Sequence, residues 1–214
     1  MSTLCGKDIL RSDLLLDGEL ELILSTAARF ERVLEAGGLL VNMQGQVLAT
    51  LFFEPSTRTR LSFETAMLRL GGQVITMADP KTSSSAKGES LVDSMRTVEG
   101  YADVIVIRHP RKGSAQEAAD AVAVPVINAG DGTGQHPTQA LLDVYTMQKE
   151  KGSLEGLTVT LAGDLKNGRT VHSLVYLLAR FGVRLLFVSP SGLEMPAEIA
   201  AELQKMGADV SEGG

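Results

Sequence analysis

The chain of 214 residues has a single cysteine, no tryptophan, three tyrosines and six phenylalanines. One cysteine, Cys5, excludes an internal disulfide and a cysteine-rich metal site. No apolar run approaches the roughly 18 residues that a membrane helix requires. Residues 1–13 hold two acidic residues and no apolar stretch, which is not the pattern of a signal or transit peptide. These absences predict a cytoplasmic protein with no place in a membrane.

Positive charge is also scarce. Twenty Lys and Arg stand against 26 Asp and Glu, which gives a net charge of −6. Broad nucleic-acid binding needs a basic face that displaces counterions from phosphates, and the few aromatic residues offer little stacking surface. We therefore expect no nucleic-acid partner. A small anionic ligand remains compatible, because a few arginines in one pocket do not require a basic surface.

Segments of strand and helix periodicity alternate along the chain. Buried strands are predicted at 46–53, 74–77, 103–107 and 125–128, each followed by a loop and an amphipathic helix. This order is typical of the α/β class with doubly wound parallel sheets.

The charged, glycine-punctuated segment 149–156 is the best candidate for a domain boundary. The predicted domains are residues 1–150 and residues 151–214. The second contains two strands and two helices, and another strand begins near its end. Since parallel sheets usually have more strands than this, we expect the second α/β domain to be incomplete.

In open α/β sheets, ligands bind beyond the carboxyl ends of the strands. Ser56, Thr57, Arg58 and Thr59 follow the first predicted strand and begin a helix. Amide groups at a helix start, hydroxyl groups and a guanidinium all favour an anion. Simple capping of the helix by Ser56 or Thr57 is the alternative, but it needs only one hydroxyl. We interpret the segment as an oxyanion site.

Two further polar clusters are weaker signals. Arg108 follows the strand 103–107 in the same predicted sheet and could converge on the same anion, although an ordinary surface arginine fits the spacing equally well. The loop 79–89 is rich in serine and, by composition alone, is typical of mobile surface.

A fourth cluster follows the strand 125–128. Gly130, Gly132 and Gly134 allow the backbone to approach a ligand, and His136 stands at the start of the next helix. No second histidine, cysteine or carboxylate cluster lies at metal-ligand spacing, so we expect no metal. The dinucleotide fingerprint is not met either.

Residues 163–170 fit the spacing of a nucleotide-binding P-loop, but Arg169 stands where that loop has lysine. A planar guanidinium does not replace the compact ammonium along the phosphates. We therefore exclude nucleoside triphosphate binding.

Five segments, in this order, form a family signature: FFEPSTRTRLSFE, SSSAKGES, RHP, HPTQALLD and GDLKNGRTVHSL. Together they resemble the catalytic chains of the aspartate carbamoyltransferase family, over essentially the whole chain. STRTR and HPTQ mark carbamoyltransferases in general. SSxxK with GE, and the GRTVHSL segment, mark the aspartate-specific branch, whereas an ornithine enzyme would carry an Asn-rich segment at GRTVHSL.

The resemblance implies a role for each matched residue. It places the phosphate of carbamoyl phosphate on Ser56, Thr57, Arg58 and Thr59. Arg108 would bridge the phosphate and the carbonyl oxygen. That oxygen would also accept from His136 and Thr59, and the side chain of Gln139 would accept from the carbamoyl NH₂. The implied catalytic residues are Arg58, Thr59, Arg108 and His136.

The remaining implied residues concern aspartate and the subunit neighbour. Arg169 and Thr170 would bind aspartate, and Ser83 and Lys87 would reach into the site of an adjacent subunit, Lys87 also toward aspartate. Glu54 would hold the two domains closed. Family members continue well past the length of this chain.

The resemblance also implies activity and assembly. The substrates would be carbamoyl phosphate and L-aspartate, the products N-carbamoyl-L-aspartate and phosphate, and the pathway de novo pyrimidine biosynthesis. No metal or organic cofactor is implied. The assembly would be a homotrimer with shared active sites, and some members pair with a regulatory chain or with other enzymes of the pathway. The alternatives are a truncated, non-catalytic chain that binds phosphate and oligomerises, or a carbamoyltransferase for another amino acid such as ornithine.

Overall fold

The computed structural model describes residues 4–77 and 88–213. The chain divides into two compact units. Unit 1 lies within Met1–Leu10 and Leu16–Gly132, and unit 2 within Arg11–Leu15 and Thr133–Gly214. Among the described residues, no helix has the length and apolar character needed to cross a membrane.

Unit 1 is built on a four-stranded sheet with the strand order β2-β1-β3-β4, in which every pairing is parallel. This confirms the predicted α/β architecture with a parallel sheet. Its elements are α1 (Asp17–Glu35), β1 (Val47–Phe52), α2 (Thr57–Arg69), β2 (Gln73–Met77), α3 (Leu91–Glu99), β3 (Val104–His109), α4 (Ser114–Ala121) and β4 (Val126–Asp131).

Strand β1 contributes apolar side chains to both faces of the unit 1 sheet. Ala49 and Leu51 join a core cluster that contains residues of α3 and α4, whereas Leu48 and Phe52 join a cluster with Met67 of α2. Successive side chains of a strand point to opposite faces, so helices cover both faces of this sheet. The strand order reverses between β1 and β3, which is where ligands bind in doubly wound folds.

Strand β4 is longer than the sequence indicated. The predicted strand 125–128 was expected to end before a glycine-rich loop, but β4 continues to Asp131. The pairing with β3 shifts between Ile107↔Asn128 and His109↔Asp131. One extra residue on β4 therefore forms a β-bulge, which accommodates Gly130 at φ +116° within the strand.

Unit 2 contains a three-stranded parallel sheet with the order β5-β6-β7. Its helix α6 is buried from His172 to Leu178. The Tyr176 hydroxyl on α6 donates to the Glu202 carboxylate, and burial, reinforced by that contact, raises the pKa of Tyr176. The elements are α5 (Pro137–Lys151), β5 (Thr158–Ala162), α6 (Arg169–Ala179), β6 (Arg184–Val188), α7 (Ala197–Lys205) and β7 (Val210–Gly213).

The compact units divide at a different place from the predicted domain boundary at 150/151. Helix α5 packs on α6 and so belongs to unit 2. The short 3₁₀ helix Ser12–Leu14 also packs on α6, and Arg180 Nη2 donates to the Asp13 carbonyl at 3.1 Å. The packing of α5 and of the 3₁₀ helix on α6 places both in unit 2, and the domain boundary at 150/151 stays a prediction.

Candidate functional site

In unit 1 the candidate residues lie at the carboxyl ends of β1 and β3. The two strands pair with Phe52 beside Arg108, and the Phe53 amide donates to the Arg108 carbonyl at 2.8 Å. Glu54, which follows β1, forms an ion pair with Arg108 through Nη2. The sheet therefore brings these two predicted residues into direct contact.

The Arg108 guanidinium is almost fully buried, with 11% of its side chain exposed. Nη1 donates to the Ala129 carbonyl at 3.4 Å, whereas Nε is buried and has no hydrogen-bond partner within residues 4–77 and 88–213. A buried donor without an acceptor costs about 1–3 kcal/mol. An anionic oxygen at Nε would remove that cost, so Arg108 fits an anion site better than a surface role.

The predicted anion segment begins helix α2. Ser56 is the N-cap residue in extended conformation, but its side chain makes no capping hydrogen bond. Thr57 and Arg58 are exposed, and Ser56 and Thr59 are half-buried. The structure therefore rejects the simple capping interpretation for Ser56. A helix start whose amides no capping side chain satisfies is a favourable place for an anion.

The surroundings of His109, next to Arg108, favour its neutral form. Its Nδ1 accepts from the Arg111 amide at 3.0 Å, and its ring lies 5.1 Å from that of Phe53, between centroids. Burial, and then the charge of Arg111, lowers the pKa of His109. The residue is a structural neighbour of the candidate site.

In unit 2, His136 is the N-cap residue of α5 and is buried. Its amide donates to Ser173 Oγ at 2.7 Å, and that hydroxyl donates to Gln135 Oε1 at 2.7 Å. Thr138 Oγ1 lies 3.5 Å from His136 Nδ1. Helix α6 therefore holds the backbone at this predicted catalytic residue, a contact that the sequence pattern did not indicate.

Gln139 lies in the first turn of α5 and is oriented by Asp143. Its Nε2 donates to Asp143 Oδ1 at 2.9 Å. A carboxylate can only accept, so the amide nitrogen must face Asp143 and Oε1 is the acceptor that Gln139 retains. Burial raises the pKa of Asp143. This orientation fits the predicted role of accepting from a carbamoyl NH₂.

His172 connects two loops of unit 2. Its Nε2 lies 2.7 Å from the Leu165 carbonyl and its Nδ1 lies 3.3 Å from the Thr133 carbonyl. Leu165 precedes α6, and Thr133 precedes the His136 turn. No motif at the sequence level pointed to this contact, because the carbonyls are 7 and 39 residues from His172.

Arg169 and Thr170 are the first two residues of α6, and both are half-buried. The loop before them is closed by Asp164, which accepts from the Asn167 amide at 3.0 Å and from its side chain at 3.1 and 3.2 Å. These hydrogen bonds from Asn167 lower the pKa of Asp164. The Asp164 carboxylate thus stabilises the conformation of the loop.

The predicted site residues fall into three groups. Glu54, Arg108 and the segment 56–59 lie in unit 1. His136, Gln139, Arg169 and Thr170 lie in unit 2. Ser83 and Lys87 lie outside the described residues. Among residues 4–77 and 88–213, no group of three or more His, Cys, Asp or Glu side chains is placed to hold a metal ion.

Comparison with known proteins gives consistent matches. Residues 7–149 match the family described as aspartate/ornithine carbamoyltransferase, carbamoyl-P binding domain. The chain is 55% identical over 212 residues to the aspartate carbamoyltransferase catalytic subunit of Methanopyrus kandleri, covering 99% of this chain and 68% of that protein. It is 53% identical over 207 residues to the catalytic subunit of Thermococcus gammatolerans, covering 97% and 67%.

Solved structures agree. Aspartate transcarbamoylase from Trypanosoma cruzi in complex with carbamoyl phosphate and aspartate superposes with a TM-score of 0.93 at 42% identity, covering 97% of this chain and 67% of that one. The catalytic subunit of M. jannaschii aspartate transcarbamoylase gives 0.88 at 50% identity, covering 96% and 68%. The chain thus spans about two thirds of the length of these relatives.

Proposed function

Because the chain belongs to the aspartate/ornithine carbamoyltransferase family, we propose that it transfers the carbamoyl group of carbamoyl phosphate to the α-amino group of L-aspartate. The reaction yields N-carbamoyl-L-aspartate and phosphate, a step of de novo pyrimidine biosynthesis, and takes place in the cytoplasm. The observation that carries the proposal is the buried Arg108 beside Glu54, at the strand-order reversal and with Nε unpartnered among the described residues.

Unit 1 supplies the phosphate-binding groups. Hydrogen bonds to charged groups contribute about 1.5–3 kcal/mol each, so a few of them suffice for a small anion. The amides at the start of α2 and the side chains of Ser56, Thr57, Arg58 and Thr59 hold phosphate oxygens. Arg108 Nε binds the same substrate and bridges toward its carbonyl oxygen.

The chemical step needs polarisation of the carbamoyl group. The neutral α-amine of aspartate attacks the carbamoyl carbon, and negative charge develops on the carbonyl oxygen. Arg108, Thr59 and His136 donate to that oxygen as preorganised groups, each worth about 2.7–4 kcal/mol by analogy with other oxyanion sites. The C–O bond to phosphate then breaks, and a phosphate oxygen takes the amine proton.

Gln139 and the start of α6 select the substrates. Gln139 Oε1 accepts from the carbamoyl NH₂, an orientation that its contact with Asp143 supports. Arg169 and Thr170 bind a carboxylate of aspartate. Aspartate has a second carboxylate that ornithine lacks, which is why an arginine at this position favours aspartate over ornithine. The closing of the domains by Glu54 remains a prediction.

The direct test is formation of carbamoyl aspartate by the purified 214-residue chain, with ornithine as the comparison substrate. Product from aspartate alone supports the proposal, and product from ornithine would overturn the specificity. Binding of carbamoyl phosphate without any product would favour the alternative of a non-catalytic chain.

The proposed assembly is a homotrimer whose sites take Ser83 and Lys87 from a neighbouring subunit. Sedimentation should then give three times the 22.7 kDa chain mass. Arg58→Ala and Lys87→Ala chains should each bind carbamoyl phosphate poorly. Refolding them together in equal amounts should restore roughly a quarter of the sites, since random assortment in a closed ring makes that fraction intact. No recovery would mean that Lys87 does not complete a neighbour's site.

A further inference from the structure

Two buried polar residues of β4, Asn128 and Asp131, contact each other within the strand. Asn128 Nδ2 donates to Asp131 Oδ1 at 3.1 Å, and their exposed fractions are 1% and 7%. Residues three apart in a regular strand point to opposite faces. The β-bulge takes up one residue between them, so both side chains reach the same side of the sheet.

The pair holds the bulge in place. Asn128 Oδ1 accepts from the Gly130 amide at 2.7 Å, and Asn128 Nδ2 also donates to the Leu10 carbonyl at 3.0 Å. Asp131 Oδ2 accepts from the Gly113 amide at the start of α4, at 2.8 Å. The bulge is thus fastened to two other parts of unit 1, and buried polar networks that are fully paired hold a unique geometry.

The bulge lies opposite Arg108, since Arg108 stands between the paired residues Ile107 and His109 of β3. Its first residue, Ala129, offers the carbonyl that accepts from Arg108 Nη1. Glu54 takes Nη2. The guanidinium is therefore oriented by one acceptor from β4 and one from the end of β1, and Nε is left for a ligand.

We propose that Asn128 and Asp131 are positioning residues for carbamoyl phosphate, acting through the Ala129 carbonyl on the Arg108 guanidinium. The proposal rests on the proposed function of Arg108, but neither residue touches substrate. In this role Asn128 and Asp131 affect the affinity for the anion in addition to the stability of the fold.

The test measures binding of inorganic phosphate and of carbamoyl phosphate by calorimetry. Asn128→Asp sets two carboxylates against each other, and Asp131→Asn replaces an acceptor with a donor. Each variant should bind both probes about 10–100-fold more weakly, in line with the loss of one or two buried hydrogen bonds.

The double variant Asn128→Asp/Asp131→Asn reverses donor and acceptor. Asp at 128 can accept from the Gly130 amide and from Asn at 131, which can still accept from the Gly113 amide, but the Leu10 carbonyl then faces a carboxylate oxygen instead of a donor. Affinity should be at least about threefold higher than that of Asn128→Asp, because both variants lose the donor to Leu10 and only the double variant rebuilds the contact between the two residues.

Thr50→Val is the matched control. Thr50 is also buried, on β1, and its Oγ1 lies within hydrogen-bond distance of Thr76 Oγ1 (2.8 Å) and Glu64 Oε1 (3.1 Å). This variant should lower the melting temperature as much as the single variants but leave phosphate affinity unchanged. Phosphate affinity of the folded single variants equal to that of the wild type, or no gain of the double variant over Asn128→Asp, would overturn the inference.

The experiment separates the inference from the proposed function. If the wild-type chain binds neither probe, the anion site itself is wrong. If the wild type binds and the single variants bind equally well, only the positioning role is wrong. Where Asn128→Asp does not fold, Asp131→Asn carries the same comparison.

Discussion

Unit 1 and unit 2 hold their candidate substrate groups by different kinds of contact. In unit 1, Arg108 is held by Glu54 and by the Ala129 carbonyl, but its Nε has no protein acceptor among the described residues. In unit 2 the groups are tied to protein partners, as the His136 amide is to Ser173 and the Gln139 side chain to Asp143. We therefore predict that the unit 1 groups contribute mainly to binding of the substrate and the unit 2 groups mainly to its orientation.

The largest effect is expected from His136→Ala, which separates orientation from binding. Loss of one oxyanion donor should lower kcat for carbamoyl aspartate formation about 10²–10³-fold, by analogy with other oxyanion sites. Phosphate affinity should stay within about threefold, since the phosphate groups of unit 1 are untouched. A collapse of phosphate affinity with kcat preserved would break the comparison.

Arg108→Gln tests whether unit 1 provides substrate binding. Removing the buried guanidinium should weaken phosphate binding about 30–300-fold, because one or two charge-assisted hydrogen bonds are lost. Arg111→Gln is the control, since Arg111 is exposed and pairs with Glu117. Calorimetry with inorganic phosphate measures both, and equal losses would indicate a general charge effect.

A smaller effect is expected from Asp143→Ala, which frees the Gln139 amide to rotate. Affinity for carbamoyl phosphate should fall about 2–10-fold, the value of one ordinary hydrogen bond, while affinity for inorganic phosphate should not change. Asp120→Ala on α4 is matched, because Gln116 Nε2 donates to Asp120 Oδ1 at 2.8 Å with the same spacing of four residues. Similar losses for both probes would contradict the orienting role.

The smallest effects concern pH, and they have opposite signs in the two units. The lowered pKa of His109 means that its stabilising contribution is complete above pH 6.5 and is lost as the pH falls through the folded value. The raised pKa of Tyr176 means that its contribution is complete below pH 10 and is lost as the pH rises above it.

Denaturant unfolding across pH 4–11 measures both effects. His109→Gln should flatten the acid side of the profile and Tyr176→Phe the alkaline side. Unchanged profiles in the two variants would show that other groups control the pH dependence.

The order of strands and helices could be predicted from sequence because apolar periodicity and glycine stops are local signals. The bounds of β1, the start of α2 and the end of β3 were expected within a residue or two. The continuation of β4 through Gly130 was not, because three nearby glycines are typical of a loop and the bulge depends on register with β3. Backbone pairing across the sheet overrode the local preference.

The candidate site shows the same difference between what local sequence signals predict and what long-range packing determines. The type and position of Arg108 pointed to an anion, but its contact with Glu54 follows from the pairing of β1 and β3. His172 and Ser173 were not predicted as structural partners, because their carbonyl and amide partners are distant in sequence. Residue type indicates the chemistry of a site, whereas long-range packing determines which side chains contact one another.

Strand β4 is the edge of the unit 1 sheet, yet part of its outer side is covered by the chain's own beginning. Ile9 pairs with Ile127, its amide donating to the Val126 carbonyl and its carbonyl accepting from the Asn128 amide, both at 2.9 Å. Exposed strand edges are templates for intermolecular pairing. The segment around Ile9 therefore blocks part of the β4 edge from pairing with another molecule. We expect a chain that lacks residues 1–10 to aggregate through the exposed β4 edge while it still retains its secondary structure.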